Sequence, residues 1–394
     1  VSQLVLVVNP GSSSRKYALF SGNSLLASIN FEQIAGKVTG SIDIDGTKHV
    51  IETSNHNLKS VICLVEPTLK KHDVLKDDIF AIGVRLVAPS KAFTSDQMIN
   101  DEVIQSLERI SHKAPLHITT VLEEIHQIKK TFLKTPLVAI SDTAFHTTIP
   151  EWASRYGIST DIADKHEILR YGYHGISVQS VVDIMQENKI LMPKVIVCHL
   201  GSGCSVTAVK KGQSVETSMG YSPLEGLMMA TRSGSIDVSA ALAVKHELQF
   251  SDDHLEEYLN KKSGLLGVSG KSNDIRELLK LEKSGDKNAQ LALKMFVYRI
   301  QQTIGQMVAS LDGVQCLVFT ATIGERSSPI RARVIDGLKY LDFAYDKSIN
   351  EDTYEPTGVV DISSDDSKPV LVIPTSESEQ ITKRVTDYLK AVKA

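Results

Sequence analysis

Residues 9–16 read Asn9-Pro-Gly-Ser-Ser-Ser-Arg-Lys16 and follow the apolar run Leu4 to Val8. That run has the length of one buried strand. Amides freed by Gly11, the hydroxyls of Ser12, Ser13 and Ser14, and the Lys16 ammonium are the donors that a phosphate needs around it. The segment is not a Walker A loop, because no second glycine precedes the lysine, and a plain β-hairpin is the other reading. A second copy of the device sits 190 residues on, in Val195-Ile-Val-Cys-His-Leu-Gly-Ser-Gly-Cys-Ser-Val. Asn9 lines up with His199, Gly11 with Gly201 and Ser12 with Ser202. Two such hairpins in one chain point to a duplicated domain with a polyphosphate clamped between the halves.

Other reactive residues each have two readings. Arg232, between Thr231 and Ser233-Gly234, is either a planar fork for phosphate or carboxylate or a surface arginine after a buried turn. Asp142 ends the apolar run Leu137 to Ile140. In open α/β sheets ligands bind at that edge, although an N-cap is the common use of such an Asp. His146 lacks a third ligand at useful spacing, so a metal role is rejected. His174 lies beside Gly172 and Gly175 in Tyr171-Gly-Tyr-His-Gly, which lets a ligand approach closely, but a lone histidine also serves as a hydrogen-bonded structural residue. Arg85 interrupts an apolar segment and needs a partner if buried, for which Asp142 is a candidate. Glu377, past the last apolar run, suits either a metal or the first turn of a helix. Phosphate loops, two arginines, an imidazole and carboxylates for Mg2+ together make up the parts of a phosphoryl-transfer site.

These groups need a scaffold, and the chain supplies it twice. Tyr17 to Phe20 and Leu25 to Phe31 continue the strands. Gly40 to Glu52 alternates around Asp45-Gly46, a hairpin signal. Asn100 to Ile110 and Thr120 to Lys130 carry helical periodicity, the first with acids in its first turn. The second half runs strands at Val195 to Leu200 and Ser205 to Val209. Helices follow near 236–246, 252–260, 273–281 and 287–311, then a buried strand at Gln315 to Thr320, a helix through Leu338 and a strand at Val370 to Ile373. A final helix opens at Ser376, with Glu379 completing a capping box.

The 394 residues suffice for two domains. With 42% hydrophobic and 23% charged residues, the composition is that of a soluble globular protein. The net charge of -4, from 43 basic and 47 acidic residues, argues against nucleic acid as a partner but leaves room for a nucleotide. Cys63, Cys198, Cys204 and Cys316 are scattered, as in reduced cytosolic proteins. Neither a signal peptide nor a membrane-length apolar run is visible, so the expectation is a cytoplasmic protein without a membrane partner.

Over nearly its whole length the chain resembles the acetate kinase family. The resemblance rests on Asn9 to Lys16, Asp142-Thr-Ala-Phe-His146, Arg170-Tyr-Gly-Tyr-His174-Gly, His199-Leu-Gly-Ser-Gly-Cys-Ser205 running on to Gly212, Thr217-Ser-Met-Gly, Pro223-Leu-Glu-Gly-Leu-Met, Thr231-Arg232-Ser-Gly, Ser272-Asn-Asp-Ile-Arg276 and Ile323-Gly-Glu325, in family order. It implies an α/β, two-domain, duplicated fold of the actin, Hsp70 and hexokinase type (ribonuclease H-like), with the active site in the interdomain cleft. The boundaries expected are 1–149 plus about 382–394 for the N-terminal domain, and 150–381 for the C-terminal domain, which would also form a homodimer.

The implied activity is reversible, Mg2+-dependent (or Mn2+-dependent) transfer of a phosphoryl group from ATP to acetate, giving acetyl phosphate and ADP. By the same resemblance, Asn9 and Glu377 help hold the metal. Ser12, Ser14 and Lys16 form the first phosphate loop. Arg85 and Arg232 grip the carboxylate and the phosphoryl group, Asp142 orients an arginine and the nucleophile, and His174 stabilises the transition state. His117 is a second active-site histidine, while Val87, Leu116, Tyr173 and Pro223 line the acyl pocket. His199, Gly201, Ser202, Gly203, Asp274, Ile275, Arg276, Thr322, Ile323, Gly324, Glu325 and Arg326 serve the nucleotide.

Several positions depart from the family pattern. The usual Gly-His-Arg-Val-Val-His-Gly-Gly is Gly83-Val-Arg-Leu-Val-Ala-Pro-Ser90, which remodels the loop and stiffens it at Pro89. Gly-Asn-Gly is Gly201-Ser202-Gly203. Thr322 replaces a Gly and is expected to crowd the nucleotide. Tyr173 replaces a common Phe and is expected to bring a hydroxyl into the acyl pocket. The alternatives are another acceptor or donor (propionate, butyrate or pyrophosphate), or a catalytically inactive nucleotide-binding protein.

Overall fold

A computed structural model describes residues 3–11, 14–34, 36–54 and 56–393, apart from the side chains of Leu116 and Lys393. The chain divides into two compact units, 1–144 with 376–394, and 145–375.

The first unit is built on strands β1 (Leu4–Pro10), β2 (Ser14–Ser21), β3 (Ser24–Ile34), β4 (Lys37–Ile44), β5 (Thr47–Ile51), β6 (Ile79–Leu86), β7 (Gln97–Met98) and β8 (Leu137–Ser141). Their order in one sheet is β5-β4-β3-β2-β1-β6-β8-β7. The first five strands form an antiparallel meander. Asp45 and Gly46, at φ 50° and 80°, make the β4–β5 turn, where a two-residue hairpin requires positive φ at both positions. β6 and β8 then add in parallel beyond β1. The helix Asp101–Arg109 is capped by Asn100, whose side chain accepts the Val103 N–H. The helix Glu377–Lys393 lies over β6 because Gly83 has no side chain. A Cβ there would come 2.6 Å from Val385 Cγ2 and 2.8 Å from Ile381 Cγ2.

The second unit repeats this plan. Its strands are β9 (Lys194–Leu200), β10 (Cys204–Lys210), β11 (Gln213–Thr217), β12 (Cys316–Thr320), β13 (Val360–Asp361) and β14 (Val370–Val372), in the order β11-β10-β9-β12-β14-β13. Three antiparallel strands followed by two parallel ones match β3-β2-β1-β6-β8. β1 and β9 therefore occupy equivalent places, and the hairpin after each is the same feature. In register, Asn9 pairs with Lys16 and His199 with Ser205. The helix Lys287–Leu311 packs across this sheet, starting at an Asp286 cap and ending at Asp312 with φ 54°.

The periodic reading missed the helix Gly175–Glu187. Eight of its residues are buried, with Val178, Val181, Val182 and Met185 at helical spacing and Gln179, Asp183, Gln186 and Glu187 on the opposite face, so its periodicity was readable. The unit borders also fall elsewhere than expected, at 144/145 and 375/376. His146 Nδ1 lies 2.9 Å from Ser214 Oγ, and Thr148 donates to the Ser214 carbonyl at 2.8 Å, which ties 145–149 to the second unit. Packing of the last helix on β6 draws residues 376–381, Glu377 included, into the first. The four cysteines are free thiols, and burial pushes Cys204 and Cys316 up to about 12. No helix among the described residues is long and apolar enough to cross a membrane.

Candidate active site

In the first unit the carboxyl ends of neighbouring strands gather the charged groups. Arg85 stands one residue from the end of β6, and Asp142 follows β8, its N–H donating to the Leu86 carbonyl at 2.9 Å. Arg85 Nη2 donates to Asp142 Oδ2 at 2.8 Å, and Nη1 to Glu377 Oε2 at 3.3 Å. Asp142 is 0% exposed and the Arg85 side chain 17%. Burial opposes the guanidinium charge, but Asp142 and then Glu377 outweigh it and raise the Arg85 pKa, so the group stays cationic. Arg85 Nε is buried with no partner among the described residues. A bound anion would satisfy that donor.

Asn9 sits at the end of β1 opposite the exposed Lys16, and the Gly11 N–H donates to the Ser14 carbonyl at 2.9 Å. Ser12 lies outside the described residues. Val87 and His117 are both half-buried, the first just past β6 and the second in the first turn of the helix Pro115–Thr131. The side chain of Leu116 lies outside the described set. Glu377 gives one carboxylate oxygen to Arg85, and Asn9 has an amide oxygen. Such hard donors fit Mg2+ or Mn2+, which is held through few protein oxygens plus phosphates and water.

In the second unit, His174 has φ 60° and begins the helix Gly175–Glu187. Its Nδ1 lies 3.0 Å from Ser205 Oγ, and its ring stacks on His199 with centroids 4.0 Å apart. His199 Nδ1 lies 2.7 Å from Ser177 Oγ. A Cβ placed on Gly203 would come 3.2 Å from His174 Nε2 and 3.4 Å from Arg232 Nη1, so this glycine keeps the imidazole and the guanidinium clear. Arg232 Nη1 also donates to the carbonyl of the buried Pro223 at 3.4 Å. The Tyr173 hydroxyl donates to the Tyr221 carbonyl at 2.7 Å. His146 is structural, with Nε2 at 3.0 Å from the Tyr173 carbonyl.

Gly203→Ala is expected to leave the melting temperature nearly unchanged and to lower kcat about tenfold, by displacing His174 and Arg232 a few tenths of an ångström. Steady-state kinetics on the folded variant would test this, and wild-type kcat would remove Gly203 from the site.

The sequence profile of the acetokinase family matches residues 4–383. The chain belongs to the acetokinase family. An acetate kinase of Clostridium botulinum is 42% identical over 398 residues, covering 97% of this chain and 99% of that protein. A propionate kinase from Francisella tularensis superposes with a TM-score of 0.90 at 35% identity, covering 97% of this chain and 98% of its own. For Porphyromonas gingivalis acetate kinase the TM-score is 0.88 at 34% identity, covering 98% and 100%. The fold is accordingly the duplicated α/β type of the family.

In this acetokinase, eight of the residues expected to serve the nucleotide come together around one cleft of about 560 Å³: Gly201, Ser202, Asp274, Ile275, Arg276, Thr322, Ile323 and Arg326. Asp274 caps the helix Ile275–Lys283 by accepting the Arg276 N–H at 2.8 Å and pairs with Arg276 Nη2 at 2.6 Å, which lowers its pKa. Arg326 pairs with Glu355.

Gly324 and Glu325 do not line this cleft. Gly324 is buried near Phe319, and the Glu325 carboxylate accepts the Thr375 N–H at 2.9 Å. Burial pushes the Glu325 carboxyl up, while the amides of Thr375 and Ala321 pull it down. The sequence reading missed Lys280 and Lys283, which also line the cleft. Their spacing of four and seven residues from Arg276 is a basic helical stripe that could have found them.

Proposed function

We propose that this acetokinase transfers the γ-phosphoryl group of ATP to acetate, reversibly, giving acetyl phosphate and ADP. The family match over residues 4–383 carries the reading. An acetate oxygen attacks the γ-phosphorus in line as the bond to the β-phosphate oxygen breaks, and the electron pair leaves with ADP. The groups of this chain position reactants and neutralise charge, as phosphoryl transfer requires. Arg85, with its unpartnered Nε and its seat between Asp142 and Glu377, binds an anionic oxygen. Lys16 and the amides of the first hairpin hold phosphate. His174, its Nδ1 engaged by Ser205, presents Nε2 to the transferring group beside Arg232. The 560 Å³ cleft holds the nucleoside, between apolar side chains such as Ile275 and Ile323 and the cations Arg276 and Lys280. Asn9 and Glu377 would hold Mg2+, which would supply charge neutralisation on the phosphates.

Hydroxylamine trapping tests the reading, using Mg2+, ATP and either acetate or propionate. Acyl hydroxamate with acetate supports it. Product with propionate alone shifts the acceptor, a reading that the likeness to a propionate kinase supports only loosely. Folded protein that binds ATP and yields no product with any acid, or with pyrophosphate as donor, would indicate an inactive nucleotide-binding protein.

Thr322 lies exposed at the rim of the cleft. Thr322→Gly is expected to lower the ATP KM about threefold, in the range of a small steric change in a pocket. An unchanged KM would acquit the side chain. We further assign the chain to the cytoplasm as a homodimer formed through the second unit. Exposed apolar side chains there, Trp152, Val238, Leu242 and Leu248, support the dimer, and light scattering would test it.

A further inference from the structure

One charged cluster in the core is not used by the mechanism above. Arg15 sits on β2 with 3% exposure, while its neighbour Lys16 is exposed, because successive residues of a strand face opposite ways. Arg15 Nε donates to Glu124 Oε2 at 2.8 Å. Glu124 belongs to the helix Pro115–Thr131, is 1% exposed, and takes the Tyr17 hydroxyl on Oε1 at 2.6 Å. The other end of the guanidinium faces the hairpin. Nη1 donates to the Gly11 carbonyl and, at 3.1 Å, to the Ser14 carbonyl. One side chain thus joins both described ends of the first phosphate loop to a helix 109 residues away in sequence.

We propose that Arg15, oriented by Glu124 and Tyr17, is a positioning residue for the first phosphate hairpin, holding the Gly11 and Ser14 carbonyls on a cation and away from the nucleotide phosphates. The inference rests on the reading of that hairpin as a phosphate site. Carbonyl oxygens directed at a phosphate repel it, whereas amides and hydroxyls bind it. Tying the Gly11 and Ser14 carbonyls to a buried guanidinium removes the repulsive arrangement before ligand arrives. The cluster also needs a reason beyond stability. Well-packed apolar side chains in place of a buried ion pair are often as stable or more so. Anchored carbonyls at Gly11 and Ser14 are what the charged version adds.

The test separates positioning from packing with the full-length protein. The double variant Arg15→Leu/Glu124→Leu removes both charges together. The single variant Glu124→Gln keeps the shape and the acceptor oxygen. Melting temperature, ATP affinity by calorimetry with Mg2+, and steady-state constants are read for each. The double variant is expected to melt near the wild type yet to bind ATP about tenfold more weakly, with the KM for the acid unchanged, because a small displacement of binding groups costs that much. Glu124→Gln is expected to weaken ATP binding about threefold, between the wild type and the double variant.

If affinity for ATP and kcat are those of the wild type in a double variant that melts near the wild type, the cluster is packing alone and the proposal fails. Should the double variant not fold, wild-type ATP affinity in Glu124→Gln would overturn it by itself. Binding is measured without the acceptor. Wild-type protein that binds ATP but makes no acyl phosphate would therefore fail the proposed reaction while leaving the effect of Arg15 measurable.

Discussion

Arg232→Ala is expected to lower turnover by about 100- to 1000-fold while the protein stays folded, the loss typical of removing one donor aimed at developing charge. Arg232 is only half-buried, and its contacts include a 3.4 Å hydrogen bond to the Pro223 carbonyl and a 3.6 Å approach to Met229 Sδ. Its guanidinium lies beside His174 across Gly203, so it is placed to act with the imidazole on one anionic group. Hydroxamate formation and a melting curve check both halves of the expectation. Turnover within a few-fold of wild type would make Arg232 a surface arginine.

Arg85→Ala should differ in kind. Arg85 is the guanidinium paired with Asp142, which is 0% exposed. Deleting one partner of a buried pair costs about 3–5 kcal/mol, because the other charge stays in a poor solvent. For a unit of this size that lowers the melting temperature by about 10 °C. Activity should also fall below detection, since the same group is assigned to hold an anion through Nε. Arg85→Lys restores a charge but not the fork that reaches Asp142 and Glu377 at once, so it should regain more stability than activity. A stable Arg85→Ala variant would mean that Asp142 tolerates the loss of this partner. An active one would remove Arg85 from the site.

The two arginines illustrate how far a linear reading reaches. That Arg85 needs a partner and that Asp142 could supply it follows from one charge within each apolar stretch. The duplication was also legible, because the two hairpins share an order of small residues after equal apolar runs, and both sheets place those runs at β1 and β9. Helices with one apolar face were legible too. The helix Lys287–Leu311 has the residues the periodicity predicts.

What escaped the sequence lies where distant segments meet. Glu377 looked like part of the second domain, but the absence of a side chain at Gly83 brings the last helix onto β6, and Glu377 reaches Arg85 across 292 residues. Glu325 sits in a nucleotide motif, yet its carboxylate turns to the Thr375 amide rather than the cleft. Arg15 follows three serines, and nothing in the local sequence marks it as a core residue held by Glu124, which also takes the Tyr17 hydroxyl. The stacking of His174 on His199 depends on where the helix Gly175–Glu187 packs, which spacing within the helix does not give.

The sequence by itself determined the repeated strand-and-hairpin plan, the residue types that can bind phosphate and carboxylate, and the family. Those depend on local spacing and on the alternation of buried and exposed positions. Only the tertiary structure decided which charges face which. A buried ion pair or a stacked pair of rings is set by the packing of elements far apart in the chain, and single-residue chemistry does not encode those distances.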